Sequence, residues 1–248
     1  MSKLLDKLEK TSKGNSRSIG FVSTAAGSKA ANMVIIVSID KGDAAAAGAA
    51  KEYADALLLS DRADAGRIST GKTQLPWGAA AAETNAGQIS KMKEGGCDFI
   101  VIDAESSPPS ILQAEKLARI IEIDPSMPDG PIRAVSQLPI DVILIGGEAD
   151  ASIKRLIACQ HVSNLTSKHL LARSPLDVSP EYVRELWETG VAGVVVRVTG
   201  DTKDALAGLR QAADALPTSR RKKTGKAGAS LPFAAFSEVQ DEEPEEDE

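Results

Sequence analysis

Short apolar runs recur along the chain, and longer segments in which apolar positions follow a helical spacing separate them. Eight runs of four to six residues predict parallel strands, because they are apolar almost throughout and therefore suit burial on both faces. The predicted strands are 33–38, 56–60, 76–81, 98–103, 118–122, 141–146, 169–172 and 193–197.

The segments between these runs predict helices. The clearest of them carries Ser179 as the N-cap, Pro180 at the first helical position and Gly190 as the terminating residue. The other predicted helices span 43–53, 84–94, 110–117, 129–138, 151–164 and 201–216.

This alternation predicts an α/β fold, a (β/α)8 barrel of the TIM type, because eight strand–helix units of roughly 20–30 residues fill such a barrel. An open, doubly wound sheet is the alternative. A glycine lies shortly before the strands at 98–103 and 193–197, and this joint of helix, glycine and strand favours the barrel.

The N-terminal residues precede the first strand. Leu4, Leu5 and Leu8 have helical spacing and predict a short amphipathic helix that docks on the body of the protein. The apolar piece at 19–22 is expected to pair at the bottom of the barrel or to plug it.

The C-terminal segment differs from the rest of the chain in composition. Residues 217–248 hold a basic block and then an acidic block, and such blocks of like charge predict a disordered, solubilising tail. Docking of the segment 231–236, with its two phenylalanines, on the body or on a partner is the alternative. The predicted division is therefore an N-terminal helix and extension at 1–31, a barrel at 32–216 and the tail.

Composition narrows the functional classes. The 248 residues carry a net charge of −6 and only 3% aromatic side chains, which argues against a nucleic-acid partner because base stacking needs aromatic platforms. No apolar run approaches the roughly 20 residues of a membrane span, and the charged N-terminus does not resemble a signal peptide. Cys97 and Cys159 lie in apolar contexts and predict reduced core thiols, so we expect a cytoplasmic protein without a membrane partner.

Acidic residues stand at the carboxyl ends of the predicted strands, where barrel enzymes place their active sites. Asp103, Glu105 and Glu122 are the candidate catalytic acids, and Asp103 and Glu105 share one face because strands have a period of two. Facing carboxylates repel one another unless a cation lies between them, so Glu122 and Glu148 are candidate ligands of Mg²⁺ or Mn²⁺. The alternative is that these acids are solvated loop residues or helix caps.

Positive side chains end the last two predicted strands. Arg173 and Arg197 lie on neighbouring strands, and Gly200 and Thr202 stand where the last helix opens and offers backbone N–H groups, so together they predict an anion-binding site. Internal pairing of both arginines with Glu122 or Glu148 is the equal alternative.

The segment 66–73 matches the pattern of a nucleotide-binding P-loop. That motif needs a strand directly before it and a helix directly after it, and Pro76 disfavours the helix. We interpret the segment as a loop in which Arg67 and Lys72 form a lid over the mouth, and a P-loop nucleotide binder is the less favoured alternative.

Two stretches, 97–105 with its Asp-Ala-Glu end and 138–146, resemble the metal-dependent pyruvate-type aldolases of the 4-hydroxy-2-oxoheptanedioate aldolase family. The resemblance implies a TIM barrel with Glu122 at the place of the family's metal-binding glutamate and Glu148 near its metal-binding aspartate. The chain differs from the family at Ser106, where the family has a histidine, and at 77–79, where it has a substrate-binding arginine.

These observations predict an enzyme of the lyase, aldolase or isomerase type that acts on a small anionic substrate, a phosphate or a carboxylate, with a divalent metal. A non-catalytic barrel that binds a partner through its charged tail is the alternative, because barrels host many functions. The partners we expect are a small anionic molecule and, in a homo-oligomer, further copies of the chain.

Overall fold

The computed structural model describes residues 2–12, 32–40, 44–60, 75–81, 86–200, 202–217 and 220. Eight parallel strands form a closed barrel in chain order, with β8 paired to β1, which confirms the predicted barrel over the open sheet. The strands are β1 (Val34–Ile39), β2 (Ala56–Leu59), β3 (Trp77–Ala80), β4 (Phe99–Asp103), β5 (Ala118–Ile123), β6 (Val142–Ile145), β7 (His169–Ser174) and β8 (Gly193–Val198).

Successive side chains of each strand point alternately into the barrel and toward the helices, and two separate apolar clusters result. Val34 and Ile36 belong to the inner cluster, whereas Ile35 and Val37 belong to the outer one. Each such side chain, once fully buried, stabilises the fold by about 1.5–3 kcal/mol. Small and branched side chains therefore fill the interior, as the scarcity of aromatic residues requires.

One aromatic side chain does lie inside the barrel. Phe99 is fully buried, and its ring covers Gly78 on the neighbouring strand β3. A Cβ atom on Gly78 would lie 2.3 Å from the ring and 2.5 Å from the carbonyl oxygen of Phe99. The glycine therefore provides the space for the largest side chain of the interior.

The helices lie close to the predicted positions, and all of them but the first pack around the outside of the barrel. They are α1 (Lys3–Ser12), α2 (Ala44–Tyr53), α3 (Ala86–Glu94), α4 (Asp129–Gln137), α5 (Ile153–Leu165), α6 (Pro180–Glu188) and α7 (Lys203–Asp214). The Ser179 side chain accepts a hydrogen bond from the Tyr182 amide at 3.2 Å, which confirms the predicted cap of α6.

The predicted helix at 110–117 is wrong in type and in length. A short 3-10 helix spans Pro109–Gln113, and the chain then turns through Lys116, which has a φ of +71°. Pro108 and Pro109 fix the entry to this turn, and Ala114 leaves the helical region at ψ 89°. Too few residues remain before β5 for an α-helix.

Helix α1 closes the amino-terminal end of the barrel, as a docked helix was expected to do. Leu4 and Leu8 are fully buried and join the inner apolar cluster, whereas Leu5 is only half-buried. The Asp98 carboxylate, directly before β4, accepts hydrogen bonds from the Ser2 hydroxyl at 2.7 Å and from the amide of Leu4 at 2.9 Å. An acid at the start of a strand therefore fixes the first turn of α1.

Two further aspartates tie this end of the barrel together. Asp55, before β2, accepts from the Ile35 amide at 3.0 Å and from the Arg210 guanidinium at 2.9 Å. Asp141, before β6, accepts from the amide of Arg119 at 2.9 Å. Acids at this end of the barrel thus serve stability, since active sites of such barrels lie at the other end.

Some predictions fall outside the described residues. The segment 19–22 and the tail beyond Arg220 are among them, so the predicted plug and the predicted disorder stay predictions. Arg220 itself lies over the Trp187 ring, 5.3 Å from its centroid, and donates to the carbonyl oxygen of Val191 at 3.0 Å. Within the described ranges, no helix is long and apolar enough to cross a membrane.

Candidate functional site

The carboxyl ends of the strands bring several of the predicted site residues to one end of the barrel. Three of them lie two positions after an inward-facing residue of their strand and therefore point inward as well: Glu122 on β5, Arg173 on β7 and Arg197 on β8. The register pairs Asp103 with Glu122, and Ser38 with Arg197. We call this end the mouth of the barrel.

The central feature of the mouth is an ion pair between Glu122 and Arg173. The Nε and Nη2 atoms of Arg173 donate to the two carboxylate oxygens of Glu122, each at 2.7 Å. Both side chains keep a little over a quarter of their surface exposed, at 28% and 27%. The hydrogen bond to Glu122 raises the pKa of Arg173, so its guanidinium is charged at any physiological pH.

A glycine makes this ion pair sterically feasible. Strand β6 lies between β5 and β7, and Gly146 follows its last residue. A Cβ atom on Gly146 would lie 2.6 Å from Oε1 and 2.8 Å from Cγ of Glu122. The Glu122 side chain therefore crosses above β6 through space that only a glycine leaves open.

Arg155, which sequence reasoning missed, holds the backbone beneath the ion pair. Its guanidinium is buried and donates to the carbonyl oxygens of Gly146 at 2.6 Å, Ile145 at 2.8 Å and Arg173 at 3.1 Å. It thereby joins the ends of β6 and β7. Arg155 lies in α5, and nothing in the pattern of that helix distinguishes it from a surface residue.

The second predicted arginine also has an acidic neighbour. Arg197 Nε lies 3.2 Å from a carboxylate oxygen of Asp40, and the Arg197 side chain is 67% exposed. On the same side of the mouth the Ser38 and Ser60 hydroxyl groups lie 3.3 Å apart. Internal pairing, one of the two alternatives, is therefore realised for both arginines, but Asp40 and not Glu148 is the partner of Arg197.

Asp103 is held by its own loop. Its Oδ1 atom accepts hydrogen bonds from the amides of Glu105 at 2.8 Å and Ser106 at 3.1 Å. Within the described part of the chain its Oδ2 atom has no partner, and Glu105 is exposed beside it. Asp103 thus caps a turn at the rim of the mouth while one carboxylate oxygen stays open.

Glu148 is exposed and lines a cleft between helix α5 and the loops that follow β5 and β6, which we call the outer cleft. This cleft has a volume of about 410 Å³ and is lined by Glu148, Asp124, Lys154 and Arg155, among others. The pKa of Asp124 is lowered by hydrogen bonds from Ser126.

The described residues do not assemble the predicted metal site. Both carboxylate oxygens of Glu122 are bound to Arg173, and no three His, Cys, Asp or Glu side chains of the described ranges converge on a point that could hold a metal ion. We therefore derive no step through Mg²⁺ or Mn²⁺, and the metal stays a prediction.

Gly200 and Thr202 precede α7, as predicted. Gly200 has a φ of +71°, and Thr202 is the N-terminal cap residue of the helix. The Thr202 hydroxyl is buried and has no partner among the residues that the structure describes. Arg67, Lys72 and the whole segment 66–73 lie outside those residues, so the lid and the P-loop alternative stay predictions.

The two cysteines are buried thiols. Burial raises the pKa of Cys97 to about 12 and that of Cys159 to about 11. A thiol with such a pKa is a poor nucleophile near neutral pH, because the thiolate is the reactive form.

Comparisons with known proteins find similarity in structure alone. No known protein family and no curated protein sequence matches the chain. The tryptophan synthase alpha chain of Legionella pneumophila superposes with a TM-score of 0.62 at 14% identity, covering 86% of this chain and 98% of that chain. A thiamine phosphate pyrophosphorylase of Pyrococcus furiosus superposes with a TM-score of 0.56 at 14% identity, covering 73% and 95%. A mutant tryptophan synthase alpha subunit of the same organism gives a TM-score of 0.53 at 14% identity, covering 73% and 96%.

Similarity at this identity shows the fold and nothing finer. None of these three structures is an aldolase of the kind that the sequence resembles, so that resemblance stays a prediction. The chain shares the architecture of these structures, a closed barrel of eight parallel strands with helices outside it.

Proposed function

We propose that this barrel is an enzyme of the lyase, aldolase or isomerase type that acts on a small anionic substrate at the mouth. The observation that carries the proposal is the partly exposed Glu122–Arg173 pair at the carboxyl ends of β5 and β7. A partly desolvated ion pair adds little to stability, so stability alone is a weak reason for this pair, and the carboxyl ends of the strands are where barrels carry out binding and chemistry. The solved structures of similar fold include enzymes, and this agrees with the proposal.

Arg173 and Arg197 bind the anionic group in this proposal. A guanidinium presents several N–H donors in a plane and matches the oxygens of a carboxylate or a phosphate. Arg155 adds a third positive charge directly behind the mouth, and no described carboxylate lies within salt-bridge distance of it. Gly200 and Thr202 would add donors from the neighbouring loop.

Proton transfer in this proposal is assigned to Asp103, with Glu105 as a further carboxylate, because both oxygens of Glu122 are bound to Arg173. A general base needs an oxygen that is open toward the substrate, and Oδ2 of Asp103 meets this condition within the described chain. The hydrogen bonds to Oδ1 fix the carboxylate in one orientation. Binding the anion on β7 and β8 would place the rest of a small substrate toward β4 and β5.

The experiment is a binding titration with inorganic phosphate and with pyruvate, each with and without Mg²⁺ or Mn²⁺, measured by calorimetry. The proposal expects saturable binding that Arg197→Ala weakens about tenfold or more, since a charge-assisted hydrogen bond to a charged group contributes about 1.5–3 kcal/mol. Lys154→Ala is the matched control, because Lys154 is an exposed cation in the outer cleft.

The outcomes discriminate between an enzyme and a scaffold. Absence of binding for both anions, with and without metal, would contradict the proposal and favour the non-catalytic barrel. Binding that needs the metal would support Mg²⁺ or Mn²⁺ as a cofactor. An assay for pyruvate release from 4-hydroxy-2-oxo acids then tests the aldolase type.

A further inference from the structure

Arg173 uses only one edge of its guanidinium for Glu122. The pair is side-on, because Nε and Nη2 donate to the two carboxylate oxygens. Nη1 has no partner within the described part of the chain, and a guanidinium has five N–H donors in all. The terminal edge, formed by Nη1 and the second N–H of Nη2, is therefore free of partners among the residues that the structure describes.

Contacts at both ends of the Arg173 side chain, at its guanidinium and at its backbone, fix the direction of that terminal edge. The Glu122 carboxylate holds the guanidinium, and it reaches Arg173 only because Gly146 leaves the path across β6 open. Arg155 binds the carbonyl oxygens of Gly146 and Arg173 and so holds the backbone from which both residues start. A long side chain that would otherwise sample many rotamers is thus oriented before a ligand arrives, which lowers the entropic cost of binding.

We infer that the terminal edge of Arg173 is the receptor for the anionic group of the ligand, and that Glu122 and Gly146 are positioning residues for it. This inference rests on the proposed function and changes the role of Glu122 from an acid–base group or metal ligand to an anchor. The ligand group is an oxyanion in which two oxygens bridge Nη1 and Nη2, as carboxylates and phosphates do.

The decisive variant changes no charge. In Gly146→Ala the new methyl carbon would lie 2.6 Å from Oε1 and 2.8 Å from Cγ of Glu122, so the Glu122 side chain must move and Arg173 loses its alignment. The φ of Gly146 is not in the left-handed region, so alanine fits the backbone there. Gly130→Ala is the matched control, because nothing lies within 4 Å of a Cβ at that position.

Glu122→Asp tests the same point independently. It keeps the negative charge and shortens the side chain by one methylene, so the carboxylate no longer reaches across Gly146 to both donors. Arg173→Lys keeps the positive charge but removes the planar guanidinium with its paired N–H donors.

The experiment titrates inorganic phosphate and, separately, acetate into the full chain and measures the affinity of every variant by calorimetry. In the variants that keep Arg173 it also follows the ¹⁵N–¹H resonance of Arg173 Nε, which Arg173→Lys identifies by its loss. The expected result is saturable binding in the wild type and in Gly130→Ala. Binding should weaken about tenfold or more, equivalent to about 1.4 kcal/mol, in Gly146→Ala and Glu122→Asp. A response to phosphate alone would identify a phosphate ester as the ligand class, and a response to acetate would identify a carboxylate.

Wild-type affinity in both Gly146→Ala and Glu122→Asp, together with loss in Arg173→Lys, would overturn this inference and leave the proposed function standing. Tighter binding in Gly146→Ala would also overturn it, because Glu122 would then compete with the ligand. Absence of binding to the wild type would remove the proposed function itself. If Gly146→Ala fails to fold, Glu122→Asp decides alone.

Discussion

Helix α1 should be an integral part of the barrel, and Leu8→Ala tests this. Leu8 is fully buried in the inner cluster with Val34 and Leu58, so truncation removes apolar contacts and leaves a cavity at the closed end of the barrel. Buried leucine-to-alanine changes cost about 2–5 kcal/mol. For a domain of this size each 1 kcal/mol lowers the Tm by about 2–4 °C, so a loss of about 3 kcal/mol predicts a Tm lower by roughly 6–12 °C.

Leu5→Ala is the matched control within the same helix. Leu5 is half-buried, so the same change of side chain removes less contact while the change in helix propensity is identical. Urea unfolding followed by circular dichroism gives the free energy of unfolding for both variants, and a thermal scan gives the Tm. If Leu8→Ala and Leu5→Ala unfold at the same midpoint, α1 does not close the barrel and the reasoning is refuted.

Three further predictions concern stability and the thiols. Gly78→Ala should lower the free energy of unfolding by about 1–3 kcal/mol, the usual cost of overpacking, because its Cβ would meet the Phe99 ring and backbone. Urea unfolding measures this loss, and a midpoint equal to that of the wild type would contradict the prediction. Asp98→Asn should cost about 1–2 kcal/mol by the same measurement, because the Asp98 carboxylate fixes the first turn of α1, and an unchanged midpoint would show that the anchor is dispensable. Burial raises the pKa of Cys97 from 9.0 to about 12, so its contribution to stability is complete below pH 9 and is lost as the pH rises toward 12. At pH 8 the native thiols should resist a disulfide reagent that labels them in urea. Rapid labelling of the native protein would contradict their burial.

The sequence predicts elements well where the signal is local. The strand β6 at Val142–Ile145 is a continuous apolar run, and helix α6 has two N-terminal signals, Ser179 as the cap and Pro180 as the first helical residue. The helix predicted at 110–117 was wrong for an equally local reason, since Pro108 and Pro109 directly before it favour a tight turn that apolar spacing does not reveal.

The sequence predicted which residues lie at the site, but it did not show which of them contact one another. The positions of Glu122 and Arg173 at strand ends follow from period two, yet the choice between an anion clamp and an internal pair stayed open. The deciding contact joins residues 51 positions apart across a third strand. Arg155 carried no signal, because a buried arginine in a helix and a solvated one look alike in sequence.

The sequence by itself therefore determined the eight alternating strands and favoured the barrel, because apolar periodicity and helix-end signals act within a few residues and fix which segments become strands. Only the tertiary structure decided which charges meet. Closing the sheet sets β8 beside β1 and brings Arg197 to Asp40, and the missing side chain of Gly146 lets Glu122 reach Arg173 across β6. Such contacts depend on register and on empty space between strands, and neither of these is written in any single segment of the chain.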